Sequence, residues 1–168
     1  MTGAPAGSAP AGNILEVEAF ARALRAGARL MGLDVGSKTV GLALSDVTRT
    51  IASGLTTLSR GKFGADAARL LALAAEHGVE GFVIGMPISL DGTHGPRAQA
   101  TRAFARNLGR LTSLPMLLWD ERLTTAAAER ALLEADTSRR RRAEVIDKVA
   151  ATLILQSALD RLKHLAAG

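Results

Sequence analysis

Short apolar stretches separated by turn residues divide the first part of the chain into strands. Leu30 to Val35 is almost continuously apolar, which is typical of a strand buried on both faces of a sheet. After the turn Gly36-Ser37-Lys38, residues Thr39 to Ser45 alternate large apolar residues with small or polar ones, which predicts a second strand that forms a hairpin with the first. Thr50 to Leu58 predicts a third, weaker strand.

Helical and strand patterns alternate in the rest of the chain. Apolar residues at helical spacing predict a short helix before Gly27 and a longer one that ends at Gly78. The full set after the third strand is a helix at 65–77, a strand at 80–84, a helix at 96–111, a strand at 115–119, a helix from Thr124 or Thr125 to Asp136, and a helix from Ala143 to about Leu165. The predicted order from Leu30 onwards is βββαβαβαα.

The length and composition indicate one main domain preceded by an extension. A chain of 168 residues that is 48% hydrophobic can bury one compact core. Residues 1–12 are mostly Ala, Gly, Pro and Ser without charge, a composition typical of a disordered tail. We therefore predict a flexible extension with a short helix at 1–28, in which that helix packs against the domain, and the main domain at 29–168.

The composition excludes several classes of protein. The chain has no Cys, which excludes a disulfide framework, a thiolate metal site and a cysteine nucleophile. It has neither a signal-peptide pattern nor an apolar run of about 18 or more residues, so we expect a cytoplasmic protein that does not contact membranes.

The charge of the chain favours a polyanionic partner. The net charge is +5 and the sequence pI is about 10.7, with the densest cluster at Arg139 to Arg142. Nucleic acid is the polyanion that such a charge most often attracts, although a solvated loop in an Arg-rich protein would have the same composition. Aromatic residues make up 3% of the chain and Tyr is absent, which argues against a base-stacking platform.

Acidic residues interrupt the apolar patterns at three places. Asp34 ends the first strand and Asp120-Glu121 ends the fifth. On a helical projection Asp147 lies within about 60° of Ala150, Ala151 and other apolar residues, so it occupies the middle of the core-facing stripe of the last helix. A buried carboxylate needs a cation, hydrogen-bond donors or a metal; for Asp34 alone, capping of a turn is an alternative explanation.

These acidic residues would form one site if strands one and five were neighbours in the sheet and the last helix lay beside their ends. Converging carboxylates repel one another unless a divalent cation lies between them. Hard oxygen ligands without Cys or clustered His suit Mg²⁺ or Mn²⁺. Such a site is typical of two-metal hydrolysis of phosphodiester bonds.

Four motifs support this interpretation through a resemblance to a known family. The chain resembles the YqgF/RuvX-like proteins, pre-16S rRNA nucleases of the RNase H-like superfamily that also contains Holliday junction resolvases. The resemblance covers nearly all of Arg29 to Lys163. The motifs are Asp34-x-Gly36-x-Lys38-x-x-Gly41-x-Ala43-x-Ser45-Asp46, Gly85-x-Pro87-x-x-x-Asp91-Gly92, Asp120-Glu121-Arg122-x-Thr124 and Ile146-Asp147-x-x-Ala150-Ala151.

The resemblance implies a fold and a set of site residues. The fold would be α/β and RNase H-like, with a five-stranded mixed sheet and helices on both faces. The metal-binding and catalytic acids would be Asp34, Asp147 and either Glu121 or Asp120, because adjacent residues of a strand point to opposite faces; we favour Glu121. Candidate substrate contacts are Lys38, Arg97 and Arg122, for which ordinary pairing with acids is the alternative.

The function implied is a nuclease that acts on structured nucleic acid and processes the 5′ end of 16S rRNA precursor. A Holliday junction resolvase acting on branched DNA and a non-catalytic nucleic-acid-binding factor are the alternatives. A nucleotide-binding ATPase would need a second domain, for which the length leaves little room. We expect a monomer or a weak homodimer.

Overall fold

The computed structural model describes residues 12–124 and 139–167 of the chain, with side chains described for 12–124 and 148–166. The helix predicted from Thr124 or Thr125 to Asp136 lies outside the described residues. The side chains of Asp147 and of Arg139 to Arg142 also lie outside them.

Every other predicted element is present, with ends that differ by a few residues. The helices are α1 (Val17–Ala23), α2 (Phe63–Glu76), α3 (Pro96–Gly109) and α4 (Arg139–Ala167). The strands are β1 (Arg29–Val35), β2 (Thr39–Ser45), β3 (Ala52–Ser59), β4 (Val79–Met86) and β5 (Met116–Asp120). A 3₁₀ turn, Glu121–Leu123, follows β5 directly.

The strands form the predicted mixed five-stranded sheet, in the order β3-β2-β1-β4-β5. β1, β2 and β3 form an antiparallel meander, and β4 and β5 are parallel to β1. The expectation that strands one and five are neighbours is wrong. α2 carries the chain from β3 across to the open side of β1, where β4 pairs, and α3 then places β5 on the far side of β4.

Helices cover both faces of the sheet, as predicted. α2 and α3 pack on one face, over a core that includes Met31 and Leu33 of β1. α1 and α4 cover the other face, where Leu30 and Val83 pack against Ile154 and Leu155 of α4. Ile154 and Leu155 are fully buried, and each contributes about 1.5–3 kcal/mol from the burial of its side chain.

Small residues let α4 lie directly on the sheet. A Cβ on Gly32 of β1 would lie 2.9 Å from the backbone oxygen of Ala151 and 2.7 Å from Cβ of Leu155. α4 thus crosses β1 at a position where any side chain on the strand would push the helix away. Although α4 has 29 residues, neither it nor any other helix in the described part of the chain is long and apolar enough to cross a membrane.

Residues that precede β1 pair with the free edge of β5. The Met116 N–H donates to the Asn13 carbonyl (2.7 Å), and the Leu15 N–H donates to the Met116 carbonyl (2.8 Å). Phe20 of α1 is fully buried on the α4 face. Part of the segment before residue 28 therefore packs on the domain, as predicted for its helix; the domain division at residue 28 stays a prediction.

Candidate active site

Asp34 lies where β1 ends, on the face covered by α4. Side chains alternate between the faces of a strand, so Asp34 shares its face with Leu30 and Gly32. It lies opposite Gly41 of β2, and only 1% of its surface is exposed. A carboxylate is therefore held inside the packed face of the sheet rather than at its surface.

Glu121 lies on the same face, two strands away. It directly follows β5 and continues the alternation of Leu117 and Trp119, which both pack on the α4 face. Its exposure is 8%. Its Oε2 atom lies 3.1 Å from the position that a Cβ on Gly85 would occupy, which places the carboxylate over β4.

Gly85 lies on the strand between these two acids. β4 separates β1 from β5, and the pairing of Leu33 with Ile84 puts Gly85 beside Asp34. Strand axes two positions apart in a sheet are about 10 Å apart. Both carboxylates thus flank a strand position without a side chain.

The third predicted acid, Asp147, belongs to the helix that covers this face. It lies one turn before Ala151 and two turns before Ile154, the residue of α4 that packs closest to Gly85. In the part of the chain whose side chains are described, no three Asp, Glu, His or Cys residues form a group that could hold a metal. The predicted set of three includes Asp147, whose side chain lies outside that part of the chain.

Asp120 is engaged elsewhere. Along β5 it alternates with Leu118 and Met116, which pack on the α2 and α3 face. Its carboxylate accepts hydrogen bonds from the backbone N–H of Arg122 (2.9 Å) and from the Arg122 guanidinium (2.6 Å). These hydrogen bonds lower the pKa of Asp120 and raise the pKa of Arg122. The two residues therefore neutralise each other.

The other two predicted substrate contacts are not paired in this way. Lys38 is exposed in the turn between β1 and β2. Arg97, in the first turn of α3, donates to the carbonyl of Val35 (3.4 Å). Within residues 12–124 and 148–166, neither is within ion-pair distance of a carboxylate. Among the described residues, Arg122 is thus the one of these three cations that fits the alternative of ordinary charge pairing.

The loop between β4 and α3 lies beside Arg122. Asp91 accepts hydrogen bonds from the backbone N–H (3.0 Å) and hydroxyl (2.7 Å) of Thr93, which lower the pKa of Asp91. Gly92 has φ +88°, a conformation that favours glycine, and the position of a Cβ there would be 3.6 Å from Nη1 of Arg122. The Asp91-Gly92 motif thus shapes the loop next to the end of β5.

Sequence reasoning missed Arg60, which also belongs to this edge of the sheet. Its guanidinium donates to the carbonyl of Gly36 (2.6 Å), in the turn that follows Asp34. A single Arg after a weak strand has no sequence signal of its own. Only the pairing of β2 with β3 brings Arg60 beside the first turn.

Comparison with known proteins gives a consistent family. A family model described as RuvX: Holliday junction resolvase matches residues 28–161. A protein of Paracoccus denitrificans (strain Pd 1222) is 60% identical over 149 residues, which cover 89% of this chain and 94% of that protein. One of Bradyrhizobium sp. (strain BTAi1 / ATCC BAA-1182) is 59% identical over 156 residues, 93% of this chain and 96% of that protein. Both are named "Putative pre-16S rRNA nuclease".

A solved structure shares the fold at low sequence identity. RuvC of Thermus thermophilus, in a structure with a Holliday junction substrate, has a TM-score of 0.51 and 13% identity, covering 80% of this chain and 96% of that one. This likeness confirms the RNase H-like fold predicted from the motifs.

Proposed function

The chain belongs to the RuvX family, and we propose that it is a metal-dependent nuclease that hydrolyses phosphodiester bonds of structured nucleic acid. The observation that carries the proposal is the pair of buried carboxylates, Asp34 and Glu121, on either side of Gly85. A cation bound between two carboxylates that are buried close together on one face of a sheet lowers the cost of burying their charges.

The residues present fit a divalent cation. The donors are carboxylate oxygens without Cys or His, which suits Mg²⁺ or Mn²⁺. Gly85 lets the Glu121 carboxylate lie close over β4, since a Cβ there would approach Oε2 of Glu121 to 3.1 Å. Asp34, Glu121 and Asp147 would hold the metal. When bound, the metal would supply an activated water and stabilise the charge of the leaving oxygen.

The remaining site residues would bind and orient the substrate. Lys38 and Arg97 would contact phosphate oxygens, because their positive charges have no acidic partner in the described part of the chain. Arg122 would contact a phosphate from a fixed position, because Asp120 holds its guanidinium. The packing of α4 over Gly32 and Gly85 would exclude bulk water from the carboxylates.

We further propose that the substrate is the precursor of 16S rRNA, cleaved near its 5′ end in the cytoplasm. This rests on the relatives, which share about 60% of the aligned residues and are named for pre-16S rRNA. A low aromatic content favours recognition of backbone and helical shape over base stacking. The family description favours a second candidate, cleavage of a four-way DNA junction.

The test compares the wild-type protein with Asp34→Asn and Glu121→Gln on two substrates, a 5′-extended 16S rRNA precursor and a four-way DNA junction, with Mg²⁺ or Mn²⁺. We expect cleavage of the RNA and a loss of at least about 100-fold in each variant, since even residues outside the metal shell cost 10–100-fold. Glu76→Gln is the matched control, an exposed acid at the end of α2. The proposal would be overturned if the wild-type protein cleaved neither substrate, or if both variants cleaved as fast as the wild type.

A further inference from the structure

Three cations from separate elements surround the turn that follows Asp34. Lys38 belongs to the turn itself, Arg60 follows β3, and Arg97 is in the first turn of α3. We call this group the cationic cradle. The turn is closed by a hydrogen bond from the Gly36 N–H to the Thr39 carbonyl (2.8 Å).

Arg60 is fixed by three contacts. Its backbone N–H donates to the Lys38 carbonyl (2.8 Å), which extends the pairing of β3 with β2 as far as the turn. Its guanidinium donates to the Gly36 carbonyl (2.6 Å) and lies 5.4 Å from the centre of the Phe104 ring. The Phe104 ring is held in turn by an edge contact with Phe63, at 5.4 Å. The charge is thus held in place before any ligand binds.

Arg97 reaches the same turn from α3. Its guanidinium donates to the carbonyl of Val35, the residue before the one that Arg60 contacts. Arg97 and Phe104 are two helical turns apart and so lie on one face of α3. Both guanidinium groups therefore lie between that face and the end of β1.

Among the described residues, the cradle lacks the acidic partners that three other arginines have. Arg25 pairs with Glu80, Arg69 with Asp66 and Arg122 with Asp120. No carboxylate in residues 12–124 or 148–166 is within ion-pair distance of Lys38, Arg60 or Arg97, and the first turn of α3 carries no acid. Two guanidinium groups held by backbone carbonyls, together with the exposed Lys38, have no acidic partner among the described residues and so favour an anion bound between them.

The cradle and the acids lie on opposite sides of the same strand end. Asp34 faces α4, whereas Arg60 and Arg97 approach from α3. A polynucleotide strand that passes over this end of the sheet would have one phosphate at the acids and another at the cradle. A single phosphate could not occupy both positions.

We propose that the cationic cradle is a second phosphate subsite, which binds a phosphate of the cleaved strand next to the one that is hydrolysed. Arg60 is its central contact. The subsite rests on the proposed nuclease function and deepens it: it positions a strand that continues beyond the cleaved bond, so a substrate that ends at that bond would bind more weakly.

The test pairs changes in the protein with changes in the substrate. A set of oligonucleotides carries one neutral methylphosphonate at successive positions, and binding is measured with the inactive background Asp34→Asn. We expect one position next to the cleavage site at which the neutral group weakens binding about tenfold, as for one charge-assisted hydrogen bond. Adding Arg60→Gln should weaken binding to the fully charged strand about tenfold. In that variant the methylphosphonate next to the cleavage site should no longer weaken binding, whereas the effects at all other positions should be unchanged.

Matched variants separate a phosphate contact from a change in folding. Arg106→Gln removes an exposed charge farther along α3 and should leave the methylphosphonate profile unchanged. Arg60→Lys should keep most of the slope of log affinity against log salt, whereas Arg60→Gln should reduce the slope by about 1. If thermal unfolding shows that Arg60→Gln disturbs the fold, Arg97→Gln gives the same test.

Two outcomes overturn the subsite. In the first outcome, Arg60→Gln and Arg106→Gln weaken binding equally. In the second, the loss of binding free energy from Arg60→Gln and the loss from the methylphosphonate are additive at every position of the strand. These outcomes are distinct from failure of the proposed nuclease function, which would appear as an absence of cleavage by the wild-type protein. The binding measurements do not depend on cleavage.

Discussion

Asp120 and Glu121 are consecutive in sequence but serve opposite faces of the sheet. On the α2 and α3 face, the Asp120 carboxylate is hydrogen-bonded to Arg122, with a distance of 2.6 Å to the guanidinium. Glu121 is 8% exposed and lies beside Gly85 under α4. The motif Asp120-Glu121-Arg122 therefore combines one acid directed to the candidate site with an ion pair that stabilises its edge.

The first prediction separates the roles of the two acids. Glu121→Gln should lower the cleavage rate at least about 100-fold, because it removes a ligand charge from the buried site. Asp120→Asn should leave the cleavage rate within about tenfold, since the exposed ion pair it weakens is worth at most about 1 kcal/mol. Single-turnover cleavage of the rRNA precursor measures both, and a larger loss in Asp120→Asn than in Glu121→Gln would contradict the assignment.

The second prediction concerns the space at Gly85. In Gly85→Ala the new methyl group would lie 2.4 Å from Cδ1 of Ile154 and 3.1 Å from Oε2 of Glu121. We expect a loss of about 1–3 kcal/mol in the free energy of unfolding from overpacking, together with reduced cleavage. Urea denaturation and the cleavage assay measure the two effects.

Two further variants test the cause of that loss. Gly64→Ala is the control, because a Cβ on this residue of α2 meets no atom within 4 Å and Ala favours the helix. The double variant Gly85→Ala, Ile154→Val removes the clashing Cδ1 atom and should recover part of the stability. Cleavage should stay low in the double variant, because the contact with Glu121 remains; full recovery of cleavage would show that Gly85 acts through packing alone.

Local pattern was enough to predict the elements of the fold. The apolar run at Leu30 to Val35 and the alternation at Thr39 to Ser45 gave strands within a residue of those observed, because burial decides which residues occupy them. The order of strands was not encoded locally. Whether β5 lies beside β1 or beyond β4 depends on how α2 and α3 cross the sheet, and no residue of β5 specifies its neighbour.

The candidate site was predictable to the extent that its residues violate a pattern. Asp34 was found because a charge in an apolar strand needs a partner. Gly85, within a strand, and Arg60, just after one, break no pattern of the sequence. The position of Gly85 beside the acids and that of Arg60 beside the first turn emerge only from the pairing of strands. The predicted role of Asp147 as a third acid stays a prediction.

The third prediction tests how the segment before α1 is attached. The Asn13 side-chain amide donates to the carbonyls of Thr112 (3.0 Å) and Leu114 (3.1 Å), in the connection between α3 and β5. Asn13→Ala should lower the free energy of unfolding by about 1–3 kcal/mol, because partly buried carbonyls lose their donor. Asn107→Ala is the control, since within the described residues the Asn107 side chain has one hydrogen bond, from exposed Arg110. Equal stability of both variants would contradict this attachment.

The fourth prediction is a pH dependence from Asp46, in the loop between β2 and β3. Its carboxylate accepts hydrogen bonds from the backbone N–H groups of Ile51 (3.0 Å) and Thr50 (2.7 Å) and from the Thr48 hydroxyl, which hold the pKa of Asp46 well below its ordinary value of 3.8. A carboxyl group whose pKa is lower in the folded state binds protons more readily when unfolded, so its stabilisation is present above the unfolded pKa and is lost as the pH falls towards the folded one. Asp46→Asn should therefore be less stable than the wild type at pH 7, and the difference should shrink progressively as the pH falls below about 5.

Urea denaturation over this pH range measures the difference in stability, with Glu18→Gln as a control whose carboxylate makes no hydrogen bond within the described residues. A difference between Asp46→Asn and wild type that stays constant with pH would show that the loop hydrogen bonds do not depend on the charge of Asp46.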